Sequence, residues 1–319
     1  MTPSPAQYAS ETSEISTAGA WVRQPNRFTG RITAEGRDGR VPEPGRYQLV
    51  VSHACPWAQR AVIVRRLLGL DTAIGLSVVD PIRDERGWRF TNHPGGRDPD
   101  TGLEFLRDAY LATDPSYRGR VTVPAILDLR SGTVVTNDFP QITLDLSTEW
   151  HTHHRGGAPE LYPAAAREEI HALDAVIHPD VNDGVYRCGF ATSQQAYQEA
   201  YDRLFARLDW LSDRLARRRY LVGDRVTEAD VRLFTTLVRF DAVYHNHFRC
   251  NRTKLTEMPV LWAYARDLYQ TPGFGDTVDF DQIKRHYYGT HERLNPTLIV
   301  PAGPDLSGWD TPHGREALG

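Results

Sequence analysis

The chain has 319 residues and a formal net charge of −4, so it is long enough for two domains and carries no excess charge that would attract nucleic acid or a membrane surface. No apolar run approaches the roughly 18 residues of a membrane span, and the N-terminus lacks the basic start and apolar core of a secretory signal. Three widely spaced cysteines provide neither a disulfide framework nor a Cys-x-x-Cys zinc site, and we therefore predict a cytoplasmic protein without a metal.

The first regular elements are predicted after a polar N-terminal segment. Residues 1–45 are rich in Gly, Pro and charge, which indicates an irregular arm. A run of β-forming residues at 46–52 predicts a strand, and helical spacing at 56–68 predicts a helix that Gly69 ends. A second strand at 73–79 completes a β-α-β unit, whose two strands are expected to be parallel.

The next region contains a long insertion and a hairpin. Residues 80–120 are polar and loop-rich, and a connection of this length is either functional or covers a surface. Two short strands are predicted on either side of Gly132, followed by a helix over 141–150. This order of elements is typical of a thioredoxin-like α/β domain, which we place at 46–150.

The second half of the chain is predicted to be helical. A linker at 151–163 precedes an all-helical domain with an irregular tail, at 164–319. Apolar residues recur every three or four positions over 164–177 and 193–217. Thr227, followed three residues later by an acidic residue, has the spacing of a capping box at the start of a further helix.

A single cysteine stands where the first strand passes into the first helix. Cys55 precedes a proline suited to the first helical turn, and the positive end of a helix dipole favours the reactive thiolate. Ala58 stands where a dithiol motif carries its second cysteine, so an external thiol must regenerate Cys55 after reaction. The alternative is a buried structural cysteine.

A proline before the third strand supports the reactive interpretation. In a thioredoxin-like domain the Val123-Pro124 bond would be cis and would present the Val123 backbone to an extended thiol ligand. Taken alone, Pro124 could equally be an ordinary proline at the start of a strand.

Tyrosines in the helical half are candidate proton donors. Tyr186 lies in a glycine-flanked segment, and Tyr287 and Tyr288 are adjacent near the C-terminus. A phenol can donate a proton or hold a phenolic substrate oxygen. The alternative for each is an amphipathic side chain packed in the helical domain.

Six segments in a fixed order over residues 45–300 resemble the glutathionyl-hydroquinone reductases, the Xi class of glutathione transferases. The segments are "SHACPWAQR", "SVVDPIRDERGWRF", "YRGRVTVPAILD", "NDGVYRCGFATSQQAY", "FDAVYHNHFRCN" and "IKRHYYGTHERLNP". The resemblance implies the glutathione-transferase fold, with an N-terminal thioredoxin-like domain and an all-α C-terminal domain. It also implies a homodimer formed mainly through the helical domains.

The resemblance further implies a reaction and a site. Cys55 would attack the sulfur of an S-conjugated hydroquinone or quinone and form a mixed disulfide that a second thiol resolves. Tyr186 and Tyr287, or its neighbour Tyr288, would assist at the phenolic ring. The implied thiol-binding residues are Trp57, Trp88, Arg120, Val123, Pro124, Asp138 and Phe139.

One pair departs from the family pattern. The family has Glu-Ser where this chain has Asp138 and Phe139, and a phenyl ring cannot hydrogen-bond the γ-glutamyl carboxylate of glutathione. The thiol co-substrate is therefore predicted to be either glutathione or mycothiol, which lacks that carboxylate. An Omega-like transferase or thioltransferase and a non-catalytic binding scaffold are the alternative functions.

Overall fold

The computed structural model describes residues 14–318, so the part of the predicted arm at 1–13 and the last residue of the predicted tail lie outside the described residues. Four strands form one mixed sheet in the order β2-β1-β3-β4. β1 pairs in parallel with β2 and antiparallel with β3, and β3 pairs antiparallel with β4. The predicted β-α-β unit and hairpin are both confirmed. The strands are β1 (Tyr47–Val51), β2 (Ile74–Val78), β3 (Ala125–Asp128) and β4 (Thr133–Thr136).

Three helices accompany this sheet. They are α1 (Pro56–Leu68), α2 (Leu106–Thr113) and α3 (Phe139–Thr148). Gly69 ends α1 as predicted, in a left-handed conformation with φ of 71° that glycine adopts without steric cost.

The structure differs from the sequence-based predictions in two places in this half. The insertion predicted as loop contains α2, whose eight residues bury only Leu106, Ala109 and Tyr110, too short a pattern to stand out among polar neighbours. α3 begins at Phe139 rather than at residue 141, because Asp138 occupies the N-cap position and a proline fits the first turn.

The remaining helices form the second half of the structure. They are α4 (Arg167–Ile177), α5 (Gly184–Phe190), α6 (Gln194–Leu215), α7 (Glu228–Leu237), α8 (Pro259–Gln270) and α9 (Phe280–Thr290). The predicted capping box is confirmed, since the backbone N–H of Thr227 donates to the Asp230 carboxylate at 2.8 Å. An α/β unit followed by helices is therefore the observed architecture, as expected.

The described part of the arm packs against both halves. Thr29 forms a β-bridge with Thr136, at the edge of the sheet. The Gln24 side chain donates to the carbonyl of Arg120 and accepts from its backbone N–H, both at 2.8 Å. Trp21 stacks on Tyr186 with a ring-centroid distance of 5.6 Å. The arm therefore brings its own side chains to the junction between the sheet and the helices.

Candidate active site

Cys55 lies between β1 and α1, as the sequence predicts, and the loop that carries it contacts the helical half. It is the N-cap residue of α1, and its side chain is partly exposed. The thiol donates to the backbone carbonyl of Val123 at 3.4 Å. The Val123-Pro124 peptide bond is cis, as predicted. The thiol and the Val123 backbone, which are 68 residues apart in the chain, are thus in contact.

The carbonyl groups that precede Cys55 are held by a buried arginine from the helical half. Arg239 follows α7 and is fully buried. Its guanidinium donates to the carbonyl of His53 at 2.9 Å and to that of Ala54 at 3.0 Å. It also donates to the side chain of Gln59 in α1. This network fixes the loop that carries the thiol.

A pocket opens above the thiol, and we call it the Cys55 pocket. Seven of the predicted site residues line it, namely Cys55, Trp57, Trp88, Arg120, Val123, Tyr186 and Tyr287. Four do not line it, namely Pro124, Asp138, Phe139 and Tyr288. Lining residues that sequence reasoning did not select are Arg23, Ala54, Pro56, Arg83, Thr122, His286 and His291.

Three phenols form a hydrogen-bonded cluster beside the Cys55 pocket. The hydroxyl groups of Tyr186 and Tyr287 are hydrogen-bonded to each other, and that of Tyr244 lies 3.0 Å from the Tyr287 hydroxyl. Burial raises the pKa of Tyr186 and of Tyr287 well above the ordinary range, and it raises that of Tyr244 to about 12. All three phenols therefore keep their protons at neutral pH.

The adjacent tyrosine has a different environment. The Tyr288 hydroxyl accepts a hydrogen bond from the Asn246 side chain at 3.2 Å, and its ring packs on His247 at 4.6 Å. Successive residues on a helix point about 100° apart, so neighbouring side chains can have different surroundings. Of the two tyrosines in α9, Tyr287 is the one that lines the Cys55 pocket.

Three arginines line the Cys55 pocket. Arg120 pairs with the buried carboxylate of Glu14 at 3.0 Å. The guanidinium of Arg23 stacks on Trp57 with its Cζ 4.4 Å from the ring centroid. Many protein atoms surround Arg83, which is accessible only in part, and this desolvation lowers the pKa of its guanidinium to about 9. Positive charge beside a thiol favours the thiolate form.

The histidines that line the pocket are neutral. His286 stacks on Trp88 at a centroid distance of 5.1 Å, and its Nδ1 lies 2.7 Å from the carbonyl of Pro81. Burial is the main cause that lowers the pKa of His286 and of His291 well below the ordinary value. They add ring surface and hydrogen-bonding atoms to the wall, but no charge at neutral pH.

The Asp138-Phe139 pair lies next to the Cys55 pocket. Asp138 accepts from the Asn26 side chain at 3.0 Å, and desolvation raises the pKa of its carboxyl. Phe139 is 4% exposed, packs edge-on against Trp57 at 5.8 Å and is covered by the Arg23 guanidinium at 4.7 Å. The ring is thus shielded from any ligand. It lacks the accessible face that a sugar ring of mycothiol would need.

The other two cysteines are remote from this chemistry. Cys188 and Cys250 are fully buried, and burial raises the pKa of Cys250 well above the ordinary range. Residues 14–318 contain no group of three or more His, Cys, Asp or Glu side chains arranged to hold a metal ion. Within the same residues no helix is both long and apolar enough to cross a membrane.

Comparison with known proteins agrees with this geometry. Residues 194–267 match the family model described as glutathione S-transferase, C-terminal domain. The glutathionyl-hydroquinone reductase YqjG of Escherichia coli (strain K12) is 43% identical over 94% of each chain. The chain belongs to the glutathionyl-hydroquinone reductases, the Xi class of glutathione transferases.

Solved structures of glutathione transferases share the fold. A glutathione transferase from Gordonia bronchialis is 62% identical, with a TM-score of 0.91 over 92% of this chain and 91% of that one. The Xi glutathione transferase of Phanerochaete chrysosporium is 40% identical, with a TM-score of 0.88 over 93% and 96%. The predicted glutathione-transferase fold, a thioredoxin-like domain followed by a helical domain, is confirmed.

Sequence analysis missed several site residues because nothing in their local sequence indicates that their side chains would meet at the pocket. Arg23 comes from the irregular arm and Arg83 from the long insertion. Tyr244 lies in one of the segments that resemble the family, but nothing in its spacing indicated that it would contact Tyr287. Arg239 follows a helix without any motif of its own. Each becomes a site residue only through contacts made across the chain.

Proposed function

We propose that the protein reduces S-conjugated hydroquinones with a low-molecular-weight thiol. The observation that carries this function is that one pocket is lined both by the Cys55 thiol and by the phenols of Tyr186 and Tyr287. The two phenols are hydrogen-bonded to each other. For its reaction a thioltransferase needs only the reactive thiol of a cysteine such as Cys55. A pair of protonated phenols beside it suits a substrate that is itself a phenol and needs a proton.

In the first step the Cys55 thiolate attacks the sulfur of the conjugate. A disulfide forms between Cys55 and the small thiol, and the bond between sulfur and ring carbon breaks. The electron pair of that bond stays on the ring carbon, which takes up a proton, and the hydroquinone leaves. The ring is thereby reduced by two electrons and the two sulfurs are oxidised. The N-terminus of α1 and the arginines of the pocket place positive charge near the attacking sulfur.

In the second step another thiol molecule attacks the mixed disulfide. The products are the disulfide of the small thiol and the Cys55 thiolate, so the enzyme returns to its starting state. Ala58 in α1 offers no second thiol, which is why the resolving group must be external.

Tyr186 and Tyr287 are proposed to act at the phenolic ring. One hydroxyl holds a ring oxygen, and the other supplies the proton to the ring carbon. Tyr244, which lies 3.0 Å from the Tyr287 hydroxyl, positions that group and can pass a proton to it. Because burial keeps all three phenols protonated, the proton is available at the start of each turnover.

Glutathione is the thiol that we propose. The E. coli relative YqjG has been solved with glutathione bound, at 42% identity and a TM-score of 0.86. The buried ring of Phe139 removes the structural reason for mycothiol, because it presents no surface to an amino sugar. The test is the ratio of kcat/KM for the glutathionyl and mycothiol conjugates of one hydroquinone. A preference for the mycothiol conjugate would overturn this assignment.

We also propose that the protein acts as a homodimer in the cytoplasm. The reaction consumes a reduced thiol, and the three cysteines are all free, which suits a reducing compartment. Sedimentation equilibrium would reveal the assembly, and a mass of one chain at micromolar concentration would contradict the dimer.

The function is tested by a single turnover without free thiol. Enzyme mixed with an equimolar glutathionyl-hydroquinone is expected to release hydroquinone and to gain the mass of one glutathione on Cys55. Intact-protein and peptide mass spectrometry locate the adduct. Release of hydroquinone without any adduct on Cys55 would exclude the mechanism.

A further inference from the structure

A second cavity adjoins the Cys55 pocket, and we call it the outer cavity. Its volume is about 380 Å³, within the range of small-molecule sites. Arm residues 20–23 form one side, and the turn before α5 together with the first turns of α5 and α6 forms the other. Arg23 lines both cavities, so the two cavities lie side by side.

Three buried polar atoms on the walls of the outer cavity lack a hydrogen-bond partner among the described residues. They are Nε of Arg23, Nε of Arg187 and Oδ1 of Asp183. Asp183 is only 7% exposed, and its other oxygen lies 3.5 Å from His178. Buried polar groups of proteins nearly always have a partner. Such atoms also occur elsewhere in the described residues, but three of them lie around this one cavity, where a ligand would complete their hydrogen bonds.

The unpartnered groups define the chemistry of that ligand. Two guanidinium groups, from Arg23 and Arg187, suit a carboxylate. The Asp183 carboxylate suits an ammonium group. Asp180, on the same wall, is already paired with Arg203 at 2.6 Å. The outer cavity therefore matches a zwitterion, such as the α-amino and α-carboxylate groups at the end of a peptide thiol.

The proposed reaction requires a place for such a molecule. After the first step one thiol is bound covalently to the Cys55 sulfur, so the second thiol must approach that sulfur from an adjoining space. A tripeptide spans roughly 10 Å when extended. The two cavities are neighbours, since Arg23 lines both. A thiol anchored in the outer cavity can thus direct its sulfur past Arg23 toward the mixed disulfide.

We propose that the outer cavity binds the amino-acid end of the second, resolving thiol, an inference that rests on the function proposed above. The thiol loses its proton to solvent, and its sulfur attacks the small-thiol sulfur of the mixed disulfide. The bond between that sulfur and Cys55 breaks, a bond between the two small thiols forms, and the electron pair leaves on the Cys55 thiolate. Anchoring raises the local concentration of the attacking sulfur.

The two half-reactions can be measured separately by stopped flow. Enzyme first reacts with an equimolar conjugate, and the mixed disulfide is then mixed with glutathione at increasing concentration. Arg187→Gln and Asp183→Asn are expected to raise the half-saturating glutathione concentration about 10-fold or more, as for loss of a hydrogen bond to a charged group. Their rates of hydroquinone release should equal that of the wild type.

Two controls separate a binding role from a structural one. 2-Mercaptoethanol has no amino-acid end, so it should resolve the mixed disulfide at the same rate in the wild type and in both variants. Arg252→Gln removes a surface ion pair with Asp209 and should leave both half-reactions unchanged. Slower resolution by 2-mercaptoethanol in the variants would mean that the site is distorted, and it would overturn the proposal.

Other outcomes distinguish the inference from the function on which it rests. If the wild type releases no hydroquinone in the first half-reaction, the proposed function fails. If the wild type completes both halves and the variants respond to glutathione as the wild type does, only the assignment of the outer cavity is wrong. If both half-reactions are slowed equally in the variants, the substitutions act on the Cys55 pocket. That result would also contradict the assignment of the outer cavity.

Discussion

Arg239 donates a 3.0 Å hydrogen bond from Nε to the backbone carbonyl of Ala54, the residue before Cys55. The same guanidinium reaches the carbonyl of His53 and the carbonyl of Thr235, and Arg239 is fully buried. One side chain of the helical half thus determines the position of the reactive loop of the sheet half.

Replacing this arginine should harm both stability and activity. Arg239→Lys keeps the charge but cannot make the same set of hydrogen bonds, which leaves buried carbonyl groups unpaired. We expect the free energy of unfolding to fall by about 3 kcal/mol or more and kcat/KM to decrease. Urea unfolding and steady-state kinetics measure the two effects. Arg252→Lys, at an exposed ion pair with Asp209, should cost less than about 1 kcal/mol. Similar losses in both variants would contradict the role of Arg239.

The nucleophile is tested by comparing the three cysteines. Cys55→Ala should abolish hydroquinone release, because no other thiol lines the Cys55 pocket. Cys188→Ala and Cys250→Ala should retain most of the activity, since both residues are fully buried away from the pocket lining. Hydroquinone is quantified by chromatography under anaerobic conditions. Turnover that survives in Cys55→Ala would rule out the mixed-disulfide mechanism.

The proton donor is tested on a matched pair of neighbours. Tyr287→Phe should slow hydroquinone release by about 100-fold, within the range for general acid catalysis. Tyr288→Phe should have little effect, because that hydroxyl is bonded to Asn246 away from the Cys55 pocket. Both variants should still exchange a simple mixed disulfide on Cys55, a reaction that needs no ring proton. An unchanged rate in Tyr287→Phe would exclude the proposed donor. It would favour the Omega-like thioltransferase function.

Because buried histidines stay neutral in the folded state, we expect the protein to lose stability in acid. The pKa of His247 is lowered to about 3, mainly by burial, whereas the unfolded chain binds this proton near the ordinary value of about 6.5. As the pH falls from 6.5 toward 3, the unfolded state gains a proton that the folded state lacks, so stability decreases. From about pH 7 to about pH 5 the expected contribution of such a histidine is about 2 kcal/mol.

Unfolding in urea at several pH values checks this expectation. In His247→Gln the decrease in unfolding free energy between about pH 7 and about pH 5 should be smaller than in the wild type. His286 and His291, whose pKa values are lowered in the same direction by burial, should account for part of the remaining slope. An identical slope in His247→Gln and in the wild type would contradict the assignment.

The sequence by itself determined the features that depend only on residues close together in the chain. The start of α1 at Pro56 and its end at Gly69 follow from backbone preferences of proline and glycine. The capping box at Thr227 is likewise a local hydrogen-bond pattern. The place of Cys55 at a strand-to-helix junction, and the resemblance of its surroundings to a known family, pointed correctly to the fold and to the class of enzyme.

Only the tertiary structure decided which side chains meet at the site. Tyr186 and Tyr287 are 101 residues apart and Tyr244 is 43 residues from Tyr287, yet their hydroxyl groups join in one cluster. Arg23 reaches the Cys55 pocket from an arm without regular structure, and it covers the Phe139 ring that the sequence suggested for ligand contact. Side-chain contacts over such separations are set by how the elements pack, because burial and charge compensation are satisfied by the whole fold and leave no periodic or local pattern in the chain.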